Sequence, residues 1–152
     1  MRFFYKCFML LTFFFCLIGR PAFAEWQFLE RNKYGDVYVD PQTLIRSGSL
    51  AKMWSAALRK QAMKTVPFGD IKNAKEYWSQ KKLVEFDCYN KTLRVLETVY
   101  FSQKSLNGEV VDRRVNDYTT GFARLTDGLS WRKMDKYLDD SDPALWQFVC
   151  GR

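Results

Sequence analysis

The stretch Leu83-Val84-Glu85-Phe86-Asp87-Cys88 alternates apolar and charged residues, the period of a β-strand whose successive side chains point to opposite sides of a sheet. Counting in Lys82, residues Lys82, Val84, Phe86 and Cys88 share one face, and Leu83, Glu85 and Asp87 the other. Cys88 is therefore expected in the core beside Phe86 and Val84. Tyr89-Asn90-Lys91 reads as a tight turn. Thr92 to Phe101 follows as a second strand, with Leu93, Val95, Val99 and Phe101 predicted on one face and Leu96 and Tyr100 on the other. Apolar residues on both faces of this hairpin call for two covers: a helix on one side, and a second sheet or a second copy of the chain on the other. A homodimer is thereby left open.

Working towards the N-terminus, Arg59 to Asn73 shows no steady period and contains Pro67-Phe68-Gly69-Asp70, so it is expected as the longest loop. Leu50 to Leu58 can be read as strand or helix. The turn Ser47-Gly48-Ser49 before it and the strand-rich surroundings favour strand. Val37 and Val39 alternate as a strand that ends at Pro41, and Asp40 to Ile45 reads as a turn or one short helical stretch. Trp26 to Leu29 forms an apolar cluster before a turn at Asn32 to Gly35.

Towards the C-terminus, Asn107-Gly108 is the pair that favours a tight hairpin turn, and Val110, Val111 and Val115 supply the strand after it. Tyr118 to Gly128 returns to loop character, and Trp131 begins a short extended piece. Asp142 as cap, Pro143 at the first position and Gly151 at the stop define a final helix. It carries an apolar patch of Leu145, Phe148 and Val149, with Trp146 and Cys150 on a neighbouring stripe.

The first 24 residues have a basic start at Arg2 and Lys6, an apolar run from Phe8 to Ile18, and Pro21-Ala22-Phe23-Ala24. These are the parts of a secretory signal cleaved after Ala24. The run is shorter than the roughly 20 residues that a membrane span needs, and Arg20 interrupts it. Phe13-Phe14-Phe15 before Cys16 argues against a lipidation site. Removing 24 of the 152 residues leaves 128, enough for one domain at 25–152. The leader takes Arg2, Lys6 and Arg20 from 24 basic residues, leaving 21 against 17 acidic ones and a net charge of +4. Cys7 and Cys16 leave with it. Cys88 and Cys150 remain, and two cysteines in an oxidising compartment read as one disulfide, with free thiols or an intermolecular bridge as alternatives.

The chain contains no histidine, which removes Ser-His-Asp and Cys-His nucleophile systems and the commonest metal ligand. The two remaining cysteines lack zinc-site or CxxC spacing. Glu85 and Asp87 have the spacing of a carboxylate pair, but nothing else in the sequence supports one and a solvated strand face is the better explanation. No metal, cofactor or reaction is expected, and export argues against a nucleic-acid partner. Basic residues group at Arg59-Lys60, Lys81-Lys82, Arg113-Arg114 and Arg132-Lys133. Where neighbouring strands bring them together they would form a cationic strip for an acidic partner; scattered, they would defend strand edges against aggregation.

The order of these features resembles the surface-adhesin protein E family of Gram-negative bacteria. The resemblance runs through Trp26, Val37-Tyr38-Val39-Asp40-Pro41, Trp54, Val84-Glu85-Phe86-Asp87-Cys88, Leu93-Arg94-Val95-Leu96, Tyr100, Gly108-Glu109-Val110-Val111, Trp131 and Phe148-Val149-Cys150. It implies an α+β fold, mainly antiparallel sheet packed against a C-terminal helix and held by a disulfide between Cys88 and Cys150. It also implies that relatives bind host extracellular-matrix or plasma proteins at the cell surface. The expectation is an exported, non-catalytic binding domain in the periplasm or at the surface. It would contact a matrix protein or acidic glycan through Arg59, Lys60, Lys81, Lys82, Arg113 and Arg114, with no membrane span after cleavage. A periplasmic accessory protein of an envelope assembly is the alternative.

Overall fold

The computed structural model describes residues 26–65, 74–116, 131–133 and 142–151. The expected leader, the Pro67 to Asp70 segment and the loop expected over 118–128 lie outside the described residues. The strands are β1 (Gln27–Arg31), β2 (Gly35–Val39), β3 (Ile45–Ser47), β4 (Leu50–Lys64), β5 (Glu76–Asp87), β6 (Thr92–Phe101), β7 (Val110–Val115) and β8 (Arg132–Lys133), followed by helix α1 (Asp142–Cys150). Among the described residues they form one antiparallel sheet in the order β1-β2-β4-β5-β6-β7, with β3 on the start of β4 and β8 on the start of β6.

The cysteine strand lies inside this sheet, between β4 and β6. Helix α1 covers the face that carries Val39, Ala51, Met53, Val84, Phe86 and Leu93, to which it adds Leu145 and Val149. Phe86 and Val149 are fully buried; complete burial of one such side chain stabilises by about 2–3 kcal/mol. The period-two reading thus put Val84, Phe86 and Cys88 on the helix side. The disulfide Cys88–Cys150 forms across a Cα separation of 5.4 Å and ties the end of α1 to the end of β5. The Arg46 guanidinium donates to the Val149 carbonyl, satisfying an end-of-helix acceptor that has no partner within the helix.

Three local expectations are corrected. Arg59 to Lys64 is strand, because β4 continues to Lys64, where Met63 pairs with Tyr77 and Lys64 with Glu76. The register shift between Leu58 and Met63 erased the alternation that would have shown it. A second shift, between Leu83 and Val84, sets Val84 against Val95 but Leu83 against Glu97. The extra residue in β6 divides its apolar set: Leu93 and Val95 face the helix, whereas Val99 and Phe101 face the other way and Tyr100 turns to the helix side. Finally, Asn107-Gly108 makes no two-residue turn. The connection closes from the Ser102 N–H to the Glu109 carbonyl, and the Ser79 hydroxyl binds the carbonyls of Gln103 and Ser105, folding this loop onto β5.

The remaining connections follow the expected chemistry. Asp40 accepts from the Gln42 N–H and caps a single 3-10 turn at Pro41–Thr43. At the β1–β2 turn, a Cβ on Gly35 would stand 1.9 Å from the Leu58 carbonyl oxygen, so only glycine permits β2 to approach β4 there.

Candidate functional site

The basic pairs Lys81-Lys82 and Arg113-Arg114 are each split by the pleat. The registers define a row Val39, Ser55, Lys82, Thr98, Arg114 across five strands. Directly opposed residues share a face, and Val39 packs under the helix, so Lys82 and Arg114 are on the helix side. Arg59, two residues beyond Ala57 and opposite Gly35, joins them. The parallel row Phe28, Tyr38, Ala56, Lys81, Val99, Arg113 crosses six strands on the opposite face, called the open face because no described helix covers it, although Ala56 and Val99 in the middle of the row are buried. Among the described residues, no helix packs on that face.

The open face is aromatic at one end and cationic at the other. Phe28 is half exposed and meets Tyr38 edge-on, with ring centroids 5.7 Å apart. Lys81 is held over Trp54 at 5.0 Å and over Phe101 at 6.0 Å, contacts worth about 0.5–2 kcal/mol depending on exposure. Arg113 donates to Glu97 at 2.9 Å while its side chain stays 63% exposed, so most of its hydrogen-bonding surface is still available to a partner. Further along this face, Arg94 bridges Glu85 at 2.5 Å and stacks on Trp131 at 4.5 Å.

On the helix side the cations are more enclosed. Arg59 is buried. Arg114 pairs with Asp112 at 2.9 Å and stacks on Tyr100 at 5.3 Å. Burial pushes the Tyr100 phenol upward, with Arg114 and Arg59 pulling it back, so the hydroxyl stays protonated and can donate. Lys60 belongs to neither row: its ammonium donates to the Asn32 carbonyl at 2.9 Å and braces the β1–β2 turn. The six basic residues therefore form no single strip. Lys81 and Arg113 meet on the open face; Arg59, Lys82 and Arg114 gather on the other.

Both members of the carboxylate pair have structural partners. Glu85 is engaged by Arg94. Asp87 accepts from the Asn90 side chain at 2.7 Å and from the Tyr89 and Asn90 N–H groups at 3.1 Å, and the Asn90 hydrogen bond holds it below the usual carboxylate range. Among the described residues no group of His, Cys, Asp and Glu is placed to hold a metal ion, and no helix is long and apolar enough to cross a membrane. Sequence reasoning passed over Ser55, Gln80 and Thr98, which are buried beside the helix-side cations. The strand period alone would have placed them there once β4 and β6 were in register.

A family model described as Surface-adhesin protein E matches residues 26–151. No curated protein matches the chain. Among solved structures, crystal form II of Haemophilus influenzae protein E superposes with a TM-score of 0.52 at 12% identity, covering 88% of this chain and 92% of that one. Its selenomethionine form gives 0.51 at 12% identity, over 89% and 94%. Protein E from non-typeable Haemophilus influenzae gives 0.50 at 11% identity, over 88% and 82%. At these identities the likeness is one of fold.

Proposed function

Starting from a chain that belongs to the surface-adhesin protein E family, we propose an exported adhesin domain that docks a host matrix or plasma protein, or an acidic glycan, on its open sheet face. The observation that carries this reading is the six-strand row from Phe28 to Arg113, with Trp54 beside it. Half-exposed aromatics next to cations are the composition from which interface hot spots are built. Lys81 is held in place by Trp54 and Phe101, which reduces the entropy lost when it meets an acidic group. The rigidity of the platform comes from the opposite side, where α1 and the disulfide hold β5. Removal of residues 1–24, with 25–152 as a single domain, belongs to the same proposal.

Protease treatment of intact cells tests the location, and titration of the exported chain on immobilised matrix protein tests the activity. Cleavage at the surface together with saturable, salt-sensitive binding supports adhesion. Complete protection in intact cells with a co-purifying envelope protein would replace it with the periplasmic accessory role. Sedimentation of the exported chain shows separately whether a second copy occupies the face.

A further inference from the structure

Beyond the Phe28 to Arg113 row, the open face carries a second feature. The registers set Ile45, Lys52, Glu85 and Arg94 in one row across β3, β4, β5 and β6, with Ser47 opposite Leu50 in the next. Over these two rows lies a recess of about 140 Å³, lined in part by Ile45, Ser47, Leu50, Lys52 and Glu85. Lys52 stands four residues along β4 from Ala56, about 13 Å away, so the recess does not depend on the adhesion reading. Ile45 is 57% exposed and Ser47 is exposed, so the recess opens to solvent. A dry apolar cavity of about 150 Å³ takes up benzene. This recess therefore has room for one compact apolar group of about four or five carbons, resting on Ile45 and Leu50.

The charges decide what that group is attached to. Glu85 is already engaged: Arg94 donates to it from Nε at 2.6 Å and bridges it from a terminal nitrogen at 2.5 Å. Lys52 lies directly across from Glu85, is half-buried, and makes no hydrogen bond, ion pair or ring contact with a described residue. Two cations, Lys52 and Arg94, against one carboxylate give the row a net charge of +1, and Ser47 adds a hydroxyl that can donate. A singly charged anion matches this arrangement; a doubly charged phosphate would meet one lysine and be repelled by Glu85. We propose that the recess binds a carboxylate carrying a compact branched aliphatic group. That chemistry is shared by a free short-chain acid and by leucine or isoleucine at the C-terminus of a peptide. The carboxylate pairs with Lys52 and accepts from Ser47, and the aliphatic group covers Ile45 and Leu50.

The test is titration of the isotopically labelled exported chain with isovalerate, N-acetyl-L-leucine, acetate and isovaleramide, followed by amide chemical shifts. The expected result is saturable shifts at Ile45, Ser47, Leu50 and Lys52 with isovalerate and N-acetyl-L-leucine, the tighter of the two naming the free acid or the peptide end as the source. Acetate lacks the aliphatic group and isovaleramide the charge, so each should bind at least about tenfold more weakly. Lys52→Gln should weaken both ligands by about tenfold, and Lys81→Gln with Arg113→Gln should change neither, which keeps this site apart from the adhesion row. Ser47→Leu places a bulky group over the recess at an exposed strand position. It should abolish binding with the thermal midpoint unchanged, which separates loss of the site from loss of the fold. Acetate or isovaleramide binding as tightly as isovalerate, unchanged affinity in Lys52→Gln, or no saturable shift at these residues with either ligand would each overturn the assignment.

Discussion

Lys81 and Lys82 are consecutive, yet they serve opposite faces of the sheet: the Lys81 ammonium stands 5.0 Å over the Trp54 ring, whereas Lys82 lines a cavity at the start of α1. Changing one should leave the other's surroundings intact. Lys81→Gln is expected to lower partner affinity by about 0.5–2 kcal/mol through the lost charge and ring contact. Lys82→Gln, on the helix side, should leave partner affinity unchanged. Surface plasmon resonance on the partner compares the two variants.

The Cys88–Cys150 bridge closes a loop across a sequence separation of 62 residues. In the chain-entropy model its removal costs roughly 4 kcal/mol. Cys88→Ser with Cys150→Ser should therefore lower the midpoint of denaturant unfolding markedly and raise the slope, because the unfolded chain is no longer cross-linked and exposes more surface, and reduction of the native chain should have the same effect. A double variant as stable as the native chain would show that the α1 contacts alone hold the helix.

Phe86 is fully buried beneath α1. Phe86→Ala should cost about 3–5 kcal/mol, against little for Val115→Ala at the exposed end of β7. Gly35→Ala is expected to be severe for another reason: its methyl group would stand 1.9 Å from the Leu58 carbonyl oxygen, and backbone cannot move aside as a flexible side chain can. Urea unfolding of the three variants ranks them, and a neutral Gly35→Ala would contradict the close β2–β4 approach.

Asp87 and Asp36 are both held below the ordinary aspartate value of 3.8, Asp87 by the Asn90 hydrogen bond and Asp36 by the Arg31 hydrogen bond. A lowered folded-state pKa contributes stability that is present above the unfolded value and lost as pH falls through the lower, folded one. Stability should thus hold down to about pH 4 and decline below it. Asp87→Asn should flatten part of that decline. Thermal midpoints measured from pH 6 to pH 2 check the sign.

How much of this was legible in the sequence depends on where the period survives. Val84, Phe86 and Cys88 kept strict alternation, so their common face, the helix above them and the disulfide could be read directly. Arg59 to Lys64 could not, because a bulge against β5 replaces alternation with an irregular run of charged and apolar residues. Val99 and Phe101 went to the wrong face for a related reason: one extra residue in β6 inverts every side chain after it. The basic pairs were visible as pairs, but their division between faces required the registers of six strands. The recess was invisible, since Ile45, Lys52 and Glu85 come from three strands and adjoin only when those strands pair.

The most direct test of the open-face account compares two double variants for binding to the same immobilised matrix protein under identical salt conditions. One is Lys81→Gln with Arg113→Gln, and the other is Lys82→Gln with Arg114→Gln. The account predicts that the first loses at least about tenfold in affinity, roughly 1.4 kcal/mol, while the second binds as the native chain does. Equal losses in both, or a loss confined to the second, would contradict it.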